Sequence, residues 1–178
     1  MSKKDEIIKI ALKHFAKTGY ENTSLEEIAN DLDMTKPAIY YHFKNKRELY
    51  NQIFLKYFET IKFENDLKDY IYKMGGFFIK NPEIAKLFSK ELSSEMEHLD
   101  IETIKVVSKT LKTLSEIVKD KNVNPFFIQT LIVASFTTYI NTLAVRKKIS
   151  KVWDTELITD FDVIEEIYQT IKLYISRY

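Results

Sequence analysis

The sequence predicts an all-α protein of about nine helices, and three observations support this fold class. The 178-residue chain contains only 3 Gly and 3 Pro, so it has few residues that interrupt helices. Each proline falls where a helix should begin: Pro37 closely follows Thr35, and Asn-Pro pairs stand at 81–82 and 124–125. Apolar residues recur at steps of three and four along most of the chain, which is the period of an amphipathic helix.

The first four predicted helices are closely spaced. Apolar spacing predicts a helix over about residues 4–18, which Gly19 would end as a C-cap. A second helix begins at Ser24, where Ser24 and Glu27 have the spacing of a capping box, and it ends at Asp33, a residue type that tolerates a left-handed turn. A third short helix follows Thr35, and a fourth covers about residues 46–63.

The remaining helices are longer. They are predicted near residues 65–80, 82–97 and 101–120, followed by two with regular apolar seams at about 128–143 and 161–178. The glycines at 75 and 76 predict a kink or a break. The last helix is apolar on more than one side, so the last two helices are expected to pack on a second copy of the chain as well as on their own domain. The expected dimer interface comprises Ile128, Ile132, Phe136, Tyr139, Phe161, Ile164, Tyr168, Ile171 and Ile175. Burial of both helices in a monomeric bundle is the alternative that periodicity leaves open.

Composition limits the classes of function. The formal net charge is +27 − 26 = +1, so any attraction to an acidic partner must come from a local cluster. The absence of cysteine excludes disulfides and cysteine-based zinc sites, and it fits a cytoplasmic location. The most apolar run, 125–145, contains Gln129 and Asn141 and is apolar mainly on one side, so we expect a bundle helix and no membrane partner.

The segment TKPAIYYHFKNK, residues 35–46, is an unusual surface for a globular protein. No acid occurs from Met34 to Arg47, and four cations stand at 36, 44, 46 and 47. Two short helices joined by the turn LDMTK have the proportions of a helix-turn-helix, whose second helix enters the DNA major groove. Lys36 could bond guanine edges, and the side chains at 37 and 38 could pack on a thymine methyl.

These residues resemble a known family. The segment FAKTGYENTSLEEIANDLDMTKPAIYYHFKNKRELY is similar to the DNA-binding segment of TetR-family transcriptional regulators, over roughly residues 5–55. The resemblance implies an all-α homodimer with a helix-turn-helix domain at 1–47 and a ligand-binding and dimerisation domain at 48–178, with the fourth helix connecting them. Where family members commonly have glycine, this chain has Asp33 and Pro37.

The resemblance also implies roles for individual residues. Expected base contacts are Lys36, Pro37 and Ala38, and expected contacts with the DNA backbone are Thr23, Ser24, Thr35, Tyr40, Tyr41, His42, Lys44 and Lys46. It implies a ligand-responsive repressor that binds a palindromic operator and is released by a small-molecule effector. The alternative is a helical ligand-binding or interaction protein of the same fold that does not bind an operator.

The effector is expected to be apolar or aromatic. This expectation rests on Tyr70, Met74, Phe77, Phe78, Phe88, Met96, Phe136 and Tyr139, although helical aromatic residues are more often core than pocket.

Sequence motifs of enzymes and metal sites are weak. Glu95 and His98 have the Glu-x-x-His spacing of di-iron bundles, but such a site needs two copies and the chain has one. No Gly-rich phosphate loop, GxSxG elbow or HExxH motif occurs. We therefore predict no catalysis, no cofactor and no metal.

Overall fold

The computed structural model describes residues 2–156 and 162–178, and these contain ten α-helices and no strand. The all-α prediction is confirmed. The helices are α1 (Lys3–Asn22), α2 (Leu25–Asn30), α3 (Lys36–His42), α4 (Lys46–Phe58), α5 (Leu67–Lys80), α6 (Pro82–Ser93), α7 (Ile101–Ile117), α8 (Pro125–Asn141), α9 (Leu143–Val152) and α10 (Val163–Ile175).

The helices form two compact units. Unit 1 comprises Met1–Thr60 and Lys86–Ser108, and unit 2 comprises Ile61–Ala85 and Lys109–Tyr178. Unit 1 thus contains α1 to α4 together with most of α6 and the first half of α7. The expected division into a helix-turn-helix domain at 1–47 and a ligand-binding and dimerisation domain at 48–178 stays a prediction.

The core of unit 1 is built from the apolar faces of its short helices. Phe15 of α1, Ile28 of α2 and Ile39 of α3 are fully buried, as are Leu49 and Ile53 of α4. Ser2 and Asp5 form the capping box that begins α1, whereas Ser24 caps α2 by accepting only from the N–H of Glu26 at 3.1 Å. Gly19 has the left-handed backbone expected of it, with φ 85°, and α1 resumes for one more turn to Asn22.

In unit 2, α5 packs against α8 and α10. Ile128, Ile132 and Phe136 are 0% exposed, so these three expected dimer contacts are core residues of a single chain, as are Ile171 and Ile175. Tyr139, Ile164 and Tyr168 are half-buried, and Phe161 lies outside the described residues. The apolar seams found in the sequence are therefore largely the seams of the unit 2 core.

The structure differs from the expected helices in four main places, the first being α4, which ends at Phe58 rather than near residue 63. The eighth helix ends at Asn141, and α9 leaves it at an angle of 62°, which accounts for the tenth helix. The sixth helix ends at Ser93, because Glu95 and Met96 adopt left-handed backbone angles. The glycines at 75 and 76 lie inside the continuous helix α5, so the expected break is absent.

None of the described helices is by itself long and apolar enough to cross a membrane. The pair α8 and α9 satisfies length and composition only when the two bent segments are taken together.

Gly75 and Gly76 provide a matched test of packing in unit 2. A Cβ atom at Gly75 would lie 2.6 Å from Phe136 and 2.8 Å from Ile164, so we expect Gly75→Ala to lower the free energy of unfolding by ~1–3 kcal/mol. Nothing lies within 4 Å of a Cβ at Gly76, and Gly76→Ala should raise that free energy by ~0.5–1 kcal/mol because alanine favours a helix. Urea denaturation measures both, and equal effects of the two changes would contradict this packing.

Candidate nucleic-acid interface

The turn between α2 and α3 sets the direction of the candidate recognition helix. Asp33 has a φ of 52°, which confirms the left-handed turn expected at this residue. The N–H of Met34 donates to the carbonyl of Ala29 at 2.9 Å and closes the turn. His14 of α1 lies 2.8 Å from the carboxylate of Asp31, which ties the beginning of the turn to α1. The path from α2 into α3 is therefore fixed by backbone and side-chain bonds.

The short helix α3 is held by one side and exposed on the other. Ile39 and Phe43 are buried in the unit 1 core, whereas Lys36 and Pro37 are exposed and Ala38 is half-buried. The first turn of α3 thus presents the three expected base-contacting residues at or near the surface. An isolated helix of seven residues would be marginal in water, so these two buried side chains determine where α3 lies.

Thr35 occupies the N-cap position of α3, but its side chain makes no capping hydrogen bond. The physical reason is local. Pro37 has no N–H to donate, and the N–H of Ala38 donates to the backbone carbonyl of Thr35 at 2.9 Å. The exposed hydroxyl of Thr35 is therefore not used to begin the helix, unlike that of Ser24.

The tyrosines of α3 are exposed to an unusual degree. Tyr41 is 87% exposed and Tyr40 is 45% exposed, while His42 is half-buried and packs edge-on against Tyr41 with ring centroids 5.2 Å apart. Exposed aromatic rings gain nothing for folding, so their place next to the tip of α3 favours a role in binding. Both phenolic hydroxyls are suited to donate to phosphate oxygens.

The four cations of the acid-free segment have different environments. Lys36 and Lys44 are exposed. The ammonium of Lys46 donates to the carbonyl of Glu21 at 3.1 Å and lies 4.6 Å from the centre of the Tyr20 ring. The Arg47 guanidinium donates to two backbone carbonyls of the segment between α6 and α7, at 3.2 and 3.3 Å. Arg47 is thus used within the fold.

One cation near α3 was missed from the sequence. Lys4, in the first turn of α1, has its ammonium 5.2 Å from the centre of the Phe43 ring, at the end of α3. Nothing in the sequence separates Lys4 from the other lysines of α1. Only the tertiary contact between Lys4 and Phe43 brings this charge to the candidate surface.

Thr23 and Ser24 are placed differently from each other. Ser24 is exposed at the start of α2. Thr23 is 3% exposed, its hydroxyl donates to the carbonyl of Gly19 at 2.6 Å, and it lies 2.8 Å from the hydroxyl of Thr18. This placement does not fit the phosphate contact expected of Thr23, because the hydroxyl is already used to close the end of α1.

The expected effector-pocket residues are mostly core. Tyr70, Met74, Phe78 and Phe136 are essentially fully buried, and Phe77 and Phe88 are nearly so, whereas Met96 and Tyr139 are half-buried. Unit 2 has a cleft of about 330 Å³ between α8 and α10, here called the α8–α10 cleft. It is lined by Leu131, Ser135, Tyr139, Val163, Glu166, Ile167, Thr170 and Ile171. Tyr139 alone belongs to both sets.

The core of unit 2 nevertheless contains a polar spot. The hydroxyl of Tyr70 bonds the side-chain oxygen of Gln129, and the amide nitrogen of Gln129 donates to Thr110 at 3.1 Å. Burial raises the pKa of Tyr70, so it keeps its proton. Within residues 2–156 and 162–178, no group of three or more His, Asp or Glu side chains is arranged to hold a metal ion.

Comparison with known proteins identifies the N-terminal part. Residues 7–53 match the family model described as bacterial regulatory proteins, tetR family. A 49-residue segment is 41% identical to the biofilm operon icaADBC HTH-type negative transcriptional regulator IcaR of Staphylococcus aureus, strain Newman. That match covers 28% of this chain and 26% of the relative, so the chain matches about a quarter of the relative's length.

Likeness to solved structures extends over nearly the whole chain. A regulatory protein of the tetR family from Rhodococcus RHA1 is 20% identical, with a TM-score of 0.69 over 99% of this chain and 97% of that chain. The transcriptional regulator FadR from Bacillus subtilis, solved in complex with stearoyl-CoA, is 15% identical, with a TM-score of 0.60 over 98% of each chain. At these identities the likeness shows the fold alone.

The burial of Thr23 leads to a prediction that separates folding from DNA contact. Thr23→Val removes the hydroxyl bonds at the end of α1, so it should lower the free energy of unfolding by ~1 kcal/mol without changing the salt dependence of DNA binding. Ser24→Ala should cost a similar amount of stability through loss of its cap, and it should also weaken DNA binding. Urea denaturation and fluorescence anisotropy across a salt series measure the two effects. A reduced salt slope in Thr23→Val would return Thr23 to the DNA interface.

Proposed function

We propose that this chain, whose residues 7–53 match the family model described as bacterial regulatory proteins, tetR family, is a transcriptional repressor of that family. It binds a palindromic operator as a homodimer in the cytoplasm and is released by a small apolar or aromatic effector. The role is regulatory rather than catalytic. The negative regulator in Staphylococcus aureus, to which the N-terminal segment is 41% identical, supports repression rather than activation.

The observation that carries the proposal is the exposed tip and side of α3. Lys36 and Pro37 project from its first turn, and Tyr40 and Tyr41 follow, while Ile39 fixes the helix from behind. At ~10 Å, the seven-residue helix is short enough to enter a major groove by its N-terminal end. Such a surface fits base contacts by the tip and backbone contacts by the side.

Lys46 remains suited to a phosphate contact. An ammonium has three N–H donors, so its bond to the carbonyl of Glu21 leaves two for phosphate oxygens. The hydrogen bond to the carbonyl of Glu21 and the contact with the Tyr20 ring hold the Lys46 side chain in one orientation. This reduces the side-chain entropy that is lost when Lys46 binds DNA. Lys44, whose side chain is exposed nearby, supplies a second charge.

The effector is proposed to bind in unit 2. The buried aromatic side chains of unit 2 would provide an apolar environment for the effector. The hydrogen bonds among Tyr70, Gln129 and Thr110 would provide one polar contact. This combination is usual for a small-molecule site. The fatty acyl ligand of the Bacillus subtilis structure is consistent with an apolar effector for this fold. Coupling of ~1–3 kcal/mol between effector and operator is the usual scale for such regulators.

The dimer is proposed to form through the α8–α10 cleft. Its half-buried apolar residues Leu131, Tyr139, Val163 and Ile167 retain surface that the fully buried seam residues lack. Small side chains at the surface of α8, such as Ala134 and Ser135, allow another helix to approach closely. A two-fold dimer would place two α3 helices on one duplex, as a palindromic operator requires.

Substitutions at Lys36 and Lys46 should affect DNA binding in different ways. Lys36→Ala should cost ~1–3 kcal/mol on an operator selected from a random duplex library and little on a scrambled duplex, because the side chain reads a base. Lys46→Ala should weaken binding to both duplexes and lower the salt slope by ~1 per half-site, because it loses a phosphate contact. Fluorescence anisotropy across a salt series measures both.

Two outcomes of that experiment would contradict the assignments. Equal losses on the selected and scrambled duplexes for Lys36→Ala would remove it from base readout. If the wild-type protein shows no preference for any selected duplex at moderate salt, the repressor proposal itself fails and the helical ligand-binding alternative replaces it.

The dimer surface can be tested within α10. Ile167→Glu puts a charge into the α8–α10 cleft, so sedimentation equilibrium should show conversion of dimer to monomer at micromolar concentration. Leu173→Glu is the matched control, since Leu173 is exposed on α10 and does not line the cleft. A wild-type monomer, or equal dissociation of both variants, would overturn the assignment.

A further inference from the structure

The segment that joins α6 to α7, residues 94–100 and here called the α6–α7 corner, is held in a strained shape. Glu95 and Met96 are consecutive residues with left-handed backbone angles, φ 56° and 58°. Side chains with a Cβ atom disfavour this region, and such strain persists only where the surroundings enforce it. The residues that follow, 97–100, are bound by side chains of α1, α4 and α6, all within unit 1.

The backbone of the corner is bound by α4. Arg47 donates to two of its carbonyl oxygens, at 3.2 and 3.3 Å. Asn51 is buried; it donates to the carbonyl of His98 at 3.0 Å and accepts from the N–H of Asp100 at 2.8 Å. Arg47 and Asn51 lie in the first two turns of α4, so α4 contacts the corner with the same part of the helix that carries Lys46.

The side chain of His98 lies between two carboxylates. Its Nδ1 is 2.9 Å from Oε1 of Glu91 on α6, and its Nε2 is 3.3 Å from Oε1 of Glu21 at the end of α1. The imidazole also packs on the ring of Tyr20, with centroids 4.3 Å apart. Both ring nitrogens are therefore directed at acceptors.

The carboxylate of Glu91 is buried and only partly hydrogen-bonded. It is 1% exposed, and its Oε1 accepts a second bond from the hydroxyl of Tyr50 at 2.6 Å. Its Oε2 has no hydrogen-bond partner among the described residues. Burial, and then the bond to Glu91, raise the pKa of Tyr50, so this hydroxyl remains a donor. A buried carboxylate with one unsatisfied oxygen is costly unless a positive charge lies against it.

The two hydrogen bonds of His98 need two protons in total. A neutral imidazole between two ionised carboxylates supplies only one, so the geometry requires one more. A hydrogen bond at each ring nitrogen needs one proton between Nδ1 and Glu91 and another between Nε2 and Glu21. This count is the same whether the first proton resides on the imidazole or on the carboxyl. Imidazole is the side chain whose charge ordinarily changes near neutral pH, so pH is the variable that tests this extra proton.

We propose that His98 is a positioning residue for operator binding, because its extra proton locks the α6–α7 corner onto the end of α1 and thereby orients Lys46. The link to Lys46 is direct: the carbonyl of Glu21 accepts from its ammonium, and the Tyr20 ring lies beneath it. The inference rests on the proposed function, in which Lys46 contacts an operator phosphate. The lock makes operator affinity depend on pH.

The sign follows from the exposure of the two carboxylates. When pH rises and the proton is lost, the bond to Glu21 breaks first, because the Glu21 side chain is 79% exposed and water can replace the imidazole. Glu91 is buried, so water cannot replace the imidazole as its partner. Operator affinity should therefore fall as pH rises.

Other charged groups around His98 do not reverse this sign. Tyr20 and Glu21 face it from α1 and Glu91 faces it from α6, while Tyr50 of α4 packs edge-on against the imidazole, with ring centroids 6.0 Å apart. Burial and the bond to Glu91 raise the pKa of Tyr50, so this group stays protonated near neutral pH.

The test isolates His98 from the other two histidines of the chain. His14→Gln and His42→Gln are combined in one background protein. Because His42 belongs to the proposed DNA interface, this background is expected to bind DNA more weakly than the wild type. That loss is common to every variant that is compared in the background. The dissociation constant for a duplex selected on the wild-type protein is measured at about pH 6 and about pH 8 at constant ionic strength. We expect it to rise about threefold or more in the background, and by less than about 1.5-fold when His98→Gln is added.

Two glutamate variants in the same background provide matched controls. Glu21→Gln removes the carboxylate at Nε2 and should reduce the pH dependence, whereas Glu97→Gln makes the same charge change next to His98 on an exposed side chain and should leave it unchanged. These two variants also decide the question if His98→Gln does not fold. Equal pH dependence in the Glu21 and Glu97 variants, or in proteins with and without His98, would overturn the proposal.

A separate readout distinguishes this inference from the repressor proposal. If no duplex is bound at any pH, the repressor proposal has failed, and the lock is tested by thermal unfolding alone. The background should then unfold at a higher temperature than its Glu21→Gln variant at about pH 6, and that difference should vanish at about pH 8 because the proton is lost. A difference that is the same at both pH values would show that the lock itself is absent.

Discussion

The fixed position of α3 depends on the burial of two side chains, Ile39 and Phe43. Seven residues cannot sustain a helix in water, and the N-cap threonine makes no side-chain bond, so local forces alone would leave this segment unfolded. Anchoring from behind resolves the difficulty, because it stabilises the helix without using any of the residues on its outer side. The exposed tyrosines and lysine of α3 are therefore not needed to hold the helix in place, and their side chains remain accessible to a partner.

The sequence was most informative where one residue type has few alternatives. Asp33 was expected to adopt a left-handed turn and does so, and the acid-free segment does lie on the surface of a helix-turn-helix. Apolar periodicity was less decisive, because a seam looks the same whether it faces a core or a second chain; Ile128, Ile132 and Phe136 turned out to be core. Likewise, two adjacent glycines suggested a break in α5, where Gly75 instead allows the ring of Phe136 to approach.

Side-chain partners distant in sequence were beyond prediction. Thr23 and Ser24 are neighbours of similar chemistry, yet one hydroxyl is buried against Gly19 and the other caps α2 in the open. Arg47 looked like one cation of a DNA-facing cluster, but its partners are carbonyls some fifty residues later in the chain. The bonds of Arg47 depend on a tertiary contact that no local pattern encodes, whereas Thr23 bonds residues only four and five positions earlier. Only the folded structure shows that Arg47 bonds the backbone of its own chain, whereas Lys36 and Lys44 are exposed.

The helix α9 has no buried residue, and its last turn is followed by Trp153, which is 75% exposed. Trp153 is also the single tryptophan of the chain. Indole emission depends on the polarity around the ring, so light emitted by this protein on excitation of tryptophan comes from one place only. The molecule thus contains its own unlabelled optical reporter for any event that covers or uncovers α9.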